Sequence, residues 1–446
     1  MKKLLYFIIT AACAASSFTS CKMMEDDIFD TDPATRQDNW MAEYRRVFNN
    51  NDHGWALYAS SPTFGRHPSV GVYAVKFEQE YCTFYQSSAT VRIPNMWDKE
   101  SMTSTYSFKM DNGIVLSFDT YNGFFHYYAD QSQYFSQDLQ GEFEFCLDRF
   151  SENEDTIFGH GKTKGLPFFM VKMKTDPQEY QKLSDEIDNY AVYDCLLTVA
   201  GDSLPTKFYG GYHNLSVFFP DEEGGEPVEH MYSYGPLVNG IYMMENFVYK
   251  DRVVVEFTLN REDGTFEDKV GTSGAKIIGL PLSDYLLAKA DYDTWFFGYS
   301  GLGSYTKGEW DKMKEALNAS GNFQADWLHN ITFNCDGSGG MTLIINMWYT
   351  EQINYPMELK RISDDEIAIR WTGEENCSCA FSFYDSGMKY LVDALAKKDS
   401  WTHYKVTHRE GNAMSPVGFE LIQVDNPANS IFFETNFRYY HDSIWE

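Results

Sequence analysis

Residues 103–118 read TSTYSFKMDNGIVLSF, two short runs of strand-forming residues on either side of a turn. Thr103–Met110 and Ile114–Phe118 are rich in β-branched and aromatic side chains, which favour strands, and Asp111-Asn112-Gly113 is typical of a tight turn. Aromatic residues make up 17% of the whole chain, so the strand-favouring composition extends beyond this stretch. The sequence therefore predicts a mainly β protein of antiparallel strands, including Gly71–Phe77 and Phe124–Tyr128.

Two Asp-Pro pairs mark the starts of helices. Asp32 can cap a helix whose first residue is Pro33 and which runs to about Asn49, with apolar residues at helical spacing: Trp40, Tyr44, Val47 and Phe48. Asp176-Pro177 opens a second helix, with one face formed by Tyr180, Leu183, Ile187 and Tyr190. A third helix is predicted from about Lys307 to Asn318.

An internal repeat suggests how the chain is divided. Phe145–Phe158 aligns with Met357–Arg370 at an offset of 212 residues, and each segment has a strand–turn–strand pattern. Each is followed by an apolar run that resembles a strand and then by a helix: Phe168–Val171 and Pro177–Tyr190 in the first half, Ala380–Phe383 and Ser386–Ala396 in the second. The alternative is that two unrelated hairpins merely look alike.

We predict two β modules with a boundary near Gly201, where Ala200-Gly201-Asp202 interrupts the strand pattern. The first module spans residues 32–200 and includes the N-terminal helix. The second spans residues 201–446 and can itself be composite, because the third helix lies inside it. Each module is expected to be an antiparallel, lipocalin-like barrel or sandwich with a helix packed on one end.

The N-terminus has the pattern of a secretory signal over residues 1–20. Lys2 and Lys3 precede an apolar run of 12 residues, shorter than the roughly 20 that a membrane-spanning helix needs. Cys21 follows small residues and resembles the acylated cysteine of a bacterial lipobox, although Phe18 stands where an aliphatic residue is usual. The alternative is an ordinary signal cleaved near Ser20. Residues 21–31 then form an acidic tether, similar to the tag that exports some Bacteroidetes lipoproteins to the outer face of the outer membrane.

The charge balance excludes one class of partner. The formal net charge is −29, which repels phosphate backbones and anionic lipid surfaces, so no nucleic-acid partner is expected. Six cysteines lie beyond Cys21, too few for a disulfide scaffold and without the spacing of a zinc site. Buried thiols are the expectation for all six: Cys82, Cys146, Cys195, Cys335, Cys377 and Cys379.

No motif in the chain carries a recognisable catalytic or metal chemistry. Gly159-His-Gly-Lys-Thr163 ends like a phosphate-binding loop, but Thr156 stands where that loop needs a glycine, so a turn between strands is predicted. His403 and His408 are five apart on a predicted strand and would point to opposite faces, which argues against a shared metal. The sequence has no H-E-x-x-H and no G-x-S-x-G. We expect no cofactor and no metal.

Two groups of residues could still contact a ligand. Asp119, Tyr121 and His126 could form a polar cluster, although Asp, Asn and Gly at this point are also what a tight hairpin needs. Trp295, Phe296, Phe297 and Tyr299 are the densest aromatic cluster, which fits a strand with a core face or, as the alternative, a platform for sugars. A pair of carboxylates for glycoside hydrolysis cannot be selected among 65 acidic residues.

Four segments resemble a Bacteroidetes lipoprotein family catalogued as domain of unknown function 4302. They are Gly54-Trp55, Ser107–Met110, the run from Ile114 to Asn122 with His126 behind it, and Gly141-Glu-Phe-Glu-Phe145. The resemblance is strongest over residues 22–195. It implies no activity and no catalytic residues, but members are often encoded beside SusC/SusD-like nutrient-uptake systems.

These observations lead to a functional hypothesis. We expect a non-catalytic outer-membrane lipoprotein, held by a lipid on Cys21 and exposed on the cell surface, that binds a nutrient such as a glycan or glycopeptide for an uptake complex. One alternative is a hydrolase acting on glycans. The other is a structural subunit of an outer-membrane transporter complex.

Overall fold

The structure is a computed structural model of the 446-residue chain. It describes residues 31–64, 67–87, 95–96, 98–111, 113–129, 141–190, 194–221, 224–288, 295–335, 340–347, 352–374, 378–408, 411–412, 415–416, 418–434 and 444–445. The predicted signal, Cys21 and the acidic tether as far as residue 30 lie outside the described residues. Among the helices that the structure describes, none is long and apolar enough to span a membrane.

The mainly β prediction is confirmed, and the strands form three closed antiparallel barrels of eight strands each. The first barrel contains β1 (Trp55–Phe64), β2 (His67–Glu78), β3 (Tyr81–Tyr85), β4 (Ser101–Met110), β5 (Ile114–Phe118), β6 (Glu144–Phe150), β7 (Thr156–Gly161) and β8 (Pro167–Lys172). The second contains β9 (Asp194–Val199), β10 (Asp202–Tyr209), β11 (Asn214–Phe219), β12 (Val228–Leu237), β13 (Gly240–Tyr249), β14 (Arg252–Asn260), β15 (Thr265–Asp268) and β16 (Lys276–Gly279).

The third barrel contains β17 (Trp295–Phe297), β18 (Leu328–Cys335), β19 (Gly340–Met347), β20 (Gln352–Ser363), β21 (Glu366–Trp371), β22 (Thr402–Thr407), β25 (Gly418–Gln423) and β26 (Ser430–Glu434). The short strands β23 (Gly411–Asn412) and β24 (Ser415–Pro416) form a separate two-stranded sheet. The structure thus differs from the predicted two modules. Gly201 lies in the turn between β9 and β10, which are hydrogen-bonded neighbours, so the predicted boundary falls inside the second barrel.

Helix α1 (Pro33–Asn49) closes one end of the first barrel, and its predicted bounds are confirmed. The carboxylate of Asp32 accepts a hydrogen bond from the Thr35 backbone N–H at 3.1 Å, which satisfies one of the free donors of the first turn. Phe48 packs against Trp55 and Phe108, at ring-centroid distances of 5.6 and 5.0 Å. The last turns of α1 therefore belong to the core of the barrel.

The opposite end of the first barrel is filled by the segment after β5. Phe124 and Phe125 are buried, and the ring of Phe125 lies 4.9 Å from that of Phe118. A strand over Phe124–Tyr128 was the wrong prediction, because the chain turns here and forms a short 3-10 helix at His126–Tyr128. With both ends closed and apolar side chains inside, the barrel is a packed core.

The first two barrels are joined by a buried seam. Helix α2 (Pro177–Asp185) follows β8, as the Asp176-Pro177 pair predicts. The hydroxyls of Tyr58 in the first barrel and Ser184 in α2 both donate to the Pro236 carbonyl of the second barrel, at 2.8 and 2.6 Å. The ring of Phe169 lies 4.6 Å from that of Tyr242 across the same boundary. Buried hydrogen bonds and ring contacts thus hold the two barrels together.

Among the described residues, the third barrel is accompanied by the α-helices α3 (Leu282–Ala288), α4 (Ser304–Ser320), α5 (Ser378–Phe383) and α6 (Lys389–Leu395). The predicted third helix is confirmed as α4. A strand at Ala380–Phe383 was the wrong prediction, because these residues lie in α5. A short apolar run cannot be assigned to a strand or a buried helix from periodicity alone.

The aligned hairpins do not occupy equivalent places. β6 and β7 are the sixth and seventh strands of the first barrel, whereas β20 and β21 are the fourth and fifth of the third. The similarity of Phe145–Phe158 to Met357–Arg370 therefore reflects a common hairpin pattern. Trp295, Phe296 and Phe297 are buried in the third barrel, which makes them core residues.

Candidate functional site

A groove of about 790 Å³ lies between α1 and the end of the first barrel that this helix covers. This volume lies within the range of small-molecule binding pockets, roughly 300–1,000 Å³. Its lining combines residues of α1, the β4–β5 turn, β6 and the end of β7: Trp40, Glu43, Tyr44, Asp111, Gly113, Ile114, Cys146, Leu147, Asp148, Arg149, Phe150, His160 and Lys162. We call this the helix groove.

The helix side of the groove presents an exposed indole. Trp40 is 55% exposed, whereas Tyr44, one turn further along α1, is buried against Phe150 with ring centroids 5.2 Å apart. Burial, with repulsion from Asp148 and Glu43, raises the pKa of Tyr44 to about 12, so its hydroxyl stays protonated. The groove therefore has an apolar floor and a broad aromatic edge that contacts solvent.

The strand side of the groove is polar. Because side chains alternate along β6, Phe145 and Leu147 fill the barrel while Cys146 and Asp148 lie on its outer wall. His160 on β7 lies opposite Cys146, and its Nδ1 is 3.0 Å from the Asp148 carboxylate. Burial raises the pKa of the Cys146 thiol, so the sulfur is not an activated nucleophile.

A network of opposite charges continues along the wall from the groove. Lys162 Nζ lies 3.1 Å from Asp111 and 3.0 Å from Glu144, and Lys109 Nζ lies 3.1 Å from Glu144 and 3.0 Å from Asp119. The Lys162 ammonium is the main cause that lowers the pKa of Glu144. Burial opposes ionisation of Asp119, but hydrogen bonds from serine hydroxyls and Lys109 lower its pKa overall. We call these five residues the charge network.

The Gly-Lys-Thr segment is a turn between β7 and β8, as predicted, and its backbone donors are occupied. Glu142 is buried, and its carboxylate accepts hydrogen bonds from the backbone N–H groups of Thr163, at 3.1 Å, and Lys164. A protein carboxylate thus takes the position that a phosphate would need. The same loop leaves Lys162 beside the groove, where the charge network holds it.

The structure separates the predicted Asp119, Tyr121 and His126 cluster into two roles. Asp119 belongs to the charge network. His126 accepts a hydrogen bond at Nδ1 from the Asn122 backbone N–H, at 3.0 Å, and its Nε2 donates to the Phe118 carbonyl at 3.1 Å. Burial lowers the pKa of His126, which keeps the ring neutral in this arrangement. Its ring contacts those of Tyr121 and Phe143, with centroids 5.6 Å away in each case.

The remaining predicted groups do not converge on a site. His403 Nδ1 lies 2.8 Å from the Glu366 carboxylate on the neighbouring strand of the third barrel. Within the described part of the chain, no three His, Cys, Asp or Glu side chains are arranged to hold a metal ion. Cys82, Cys146 and Cys195 are free, whereas Cys379 is disulfide-bonded, which corrects the expectation of a thiol at that position.

The sequence places Trp40 on the apolar face of α1 and so misses the groove. The spacing of Trp40, Tyr44, Val47 and Phe48 is right, but only the last three are buried. Two signals point to the groove: Trp40 lies in the polar first half of α1, and Lys162 follows the Gly-His-Gly turn at the end of β7. Neither signal identifies a site until the barrel closes and brings them together.

Three solved structures are similar to parts of this chain, all at low identity. A double mutant of transferrin binding protein B from Haemophilus parasuis Hp5 shows 8% identity and a TM-score of 0.16, with 85% of this chain and 74% of that chain covered. The DNA polymerase sliding clamp of Pseudomonas aeruginosa shows 9% identity and a TM-score of 0.13. The β subunit of DNA polymerase of Streptococcus pyogenes shows 10% identity and a TM-score of 0.12. In both cases 87% of this chain and 92% of the other chain are covered. TM-scores this low support no argument about function. No curated protein sequence matches the chain.

One protein-family model matches residues 25–261, slightly more than half of the chain. Its description is Domain of unknown function (DUF4302). The matched range contains the whole first barrel, the seam, and the second barrel as far as β14. The helix groove and the charge network lie inside it, whereas the third barrel lies outside.

Proposed function

The chain belongs to the family described as Domain of unknown function (DUF4302), and we propose that it is a non-catalytic binding protein. It captures a glycan or glycopeptide in the helix groove, outside the cell, as an accessory of a SusC/SusD-like uptake complex. A lipid on Cys21 anchors it to the outer membrane, and the acidic tether places it on the cell surface.

The observation that carries this proposal is the helix groove with its half-exposed indole. Sugar rings have apolar C–H faces and polar hydroxyl edges, so they fit a flat aromatic side chain bordered by charged and hydrogen-bonding groups. Trp40 supplies the flat surface, and Asp111, Asp148 and His160 line the groove with polar atoms. The signal-like residues 1–20 and the family resemblance support the extracellular location.

Two carboxylates of the charge network beside the groove are suited to binding rather than to acid catalysis. A glycosidase needs one carboxylic acid with a raised pKa, which keeps its proton until it is transferred to the leaving group. Along this wall the pKa values of Asp119 and Glu144 are lowered, so both carboxylates stay charged. The Cys146 thiol stays protonated. These groups can accept hydrogen bonds but cannot serve as the acid of a hydrolase.

The proposal can be tested with the soluble chain from residue 22. The chain is screened by glycan array against polysaccharides and by calorimetry against glycan and peptide panels, in parallel with Trp40→Ala. Tyr81→Ala is the matched control, because Tyr81 is 53% exposed on β3 of the same barrel and does not line the groove.

We expect a glycan or glycopeptide to bind, and Trp40→Ala to lose about 1–1.5 kcal/mol of binding free energy, roughly tenfold in affinity, as aromatic contacts typically contribute. Tyr81→Ala should bind like the wild type. Absence of binding across both panels, or equal binding by the two variants, would contradict the proposal.

A further inference from the structure

We propose that the ring stack of Tyr121, His126 and Phe143 binds a second part of the same ligand, so that the ligand is an extended neutral oligosaccharide lying along β6. This inference rests on the proposed function and specifies its ligand. It follows from three features of the first barrel: an exposed aromatic stack, its distance from the helix groove, and the pairing of the charges between them.

The stack is a surface feature with a rigid centre. The centroid of the His126 ring lies 5.6 Å from that of Tyr121 and 5.6 Å from that of Phe143, with interplanar angles of 34° and 30°. Tyr121 is 52% exposed and Phe143 is 45% exposed. The backbone hydrogen bonds to both His126 nitrogens hold its ring in place. Tyr121 and Phe143 therefore present aromatic surface to solvent beside a fixed ring, and such surface suits the apolar face of a sugar.

The stack and the groove lie at opposite ends of the same strand. Phe143 immediately precedes β6, whereas Arg149 and Phe150 at the other end of β6 line the helix groove. At about 3.3 Å per residue the strand spans about 20 Å, which is long enough for several linked sugar units. A linear ligand that contacts Trp40 at one end can thus reach Phe143 at the other.

Three of the described cations on the wall between the two aromatic sites already have partners. Lys109 and Lys162 are both held by carboxylates of the charge network, and the guanidinium of Arg149 lies 3.9 Å from the centre of the Phe158 ring. An acidic sugar would have to displace a partner to pair with Lys109, Lys162 or Arg149, and the net charge of −29 would repel it further. Hydroxyl groups can instead bond to these side chains without disturbing the pairs.

Chain-length dependence tests the inference. The probes are linear glucan, mannan and xylan oligosaccharides of two to six sugars, titrated calorimetrically into the soluble chain from residue 22. For the wild type we expect affinity to rise at least tenfold from the disaccharide to the hexasaccharide of the series that binds. Phe143→Ala should lose this gain while binding the disaccharide as before.

Two further variants keep the test decisive. Tyr121→Ala should also lose the rise in affinity with chain length. Thermal unfolding shows whether Phe143→Ala perturbs folding. If it does, Tyr121→Ala provides the test in its place. Tyr81→Ala should keep the full gain. Uronic-acid oligosaccharides of equal length should bind at least tenfold more weakly than the neutral ones.

The possible failures are distinguishable. Affinity independent of chain length in the wild type, or a full gain in both stack variants, overturns this inference and leaves the proposed function standing. Tighter binding of uronic-acid oligosaccharides overturns the neutral ligand class. No binding of any glycan or peptide by the wild type overturns the proposed function and this inference together.

Discussion

Helices α1 and α4 provide a comparison within one molecule. Each is 17 residues long, packs on an eight-stranded barrel and carries one tryptophan near its middle. Trp40 of α1 is 55% exposed, whereas Trp310 of α4 is 1% exposed. The same combination of helix and barrel therefore leaves a groove in one case and a closed core in the other.

The difference arises from what covers each helix. Trp310 packs against Phe297 of β17 and against Trp445 near the end of the chain, with ring centroids 6.3 and 5.3 Å away. The segment from Tyr384 to Leu395 packs on α4 from another side. On α1 only the later residues reach the barrel, so Trp40 borders the helix groove. A helix on a barrel becomes a binding surface where it covers the wall incompletely.

Removing the two tryptophans should have very different effects on stability. Trp310→Ala should destabilise the third barrel by about 3–5 kcal/mol, because it leaves a cavity in a packed core. Trp40→Ala should change stability by no more than about 0.5 kcal/mol, as is usual at an exposed position. Differential scanning calorimetry of both variants measures this, and an equal loss of stability in the two would contradict it.

The parts of the fold that follow from local signals could be predicted from the sequence. Proline and aspartate at Asp32-Pro33 and Asp176-Pro177 define helix starts, and short aromatic runs separated by turns define strands. The number of barrels could not be predicted, because closure depends on contacts between distant strands such as β1 with β8 and β9 with β16. Gly201 resembles a linker in sequence although it is a hairpin turn.

The seam between the first two barrels should depend on a single glycine. A Cβ at Gly235 would lie 2.7 Å from Phe169 Cζ and 2.7 Å from Tyr58 Cδ1, two stacked buried rings that have little room to move. Gly235→Ala should therefore destabilise the first two barrels by about 1–3 kcal/mol. Chemical denaturation should detect this loss without a change in the third barrel.

Gly211→Ala is the control for that experiment, because it lies in the same barrel with open space around a new Cβ. It should be close to neutral. If Gly235→Ala unfolds like the wild type, the seam does not hold the two barrels as the contacts indicate.

The charge network should give a smaller effect that depends on pH. The pKa values of Asp119 and Glu144 are lowered in the folded state from their ordinary values of 3.8 and 4.5. Their contribution to the free energy of unfolding is therefore complete at pH values above these ordinary pKa values. It is lost as the pH falls through the lower pKa values of the folded state. Lys109→Met should thus lower the melting temperature at pH 7 more than at pH 3. Lys360→Met, at an exposed lysine on β20 of the third barrel, should show no such difference. A Lys109→Met effect that is equal at both pH values would contradict this account.

The candidate site was only partly accessible from the sequence. The family-like segments around Ser107–Met110 and Gly141–Phe145 supply Lys109 and Glu144, so the resemblance identifies part of the charge network. The groove itself forms between α1 and a hairpin more than 90 residues further along the chain. The spacing of apolar residues within α1 or within the hairpin does not predict that the two lie side by side. Trp40 also fits the spacing of an ordinary core residue.

Hydroxyl-radical footprinting can show whether the first barrel binds its ligand at the helix groove. The soluble chain from residue 22 is oxidised with and without a saturating concentration of the glycan selected by the array. Phe381 on α5 is the internal control, because it is 57% exposed, about as much as Trp40. We expect the glycan to protect Trp40 from oxidation and to leave the oxidation of Phe381 unchanged. Unchanged oxidation of Trp40 at saturation, or protection of Phe381 in its place, would contradict it.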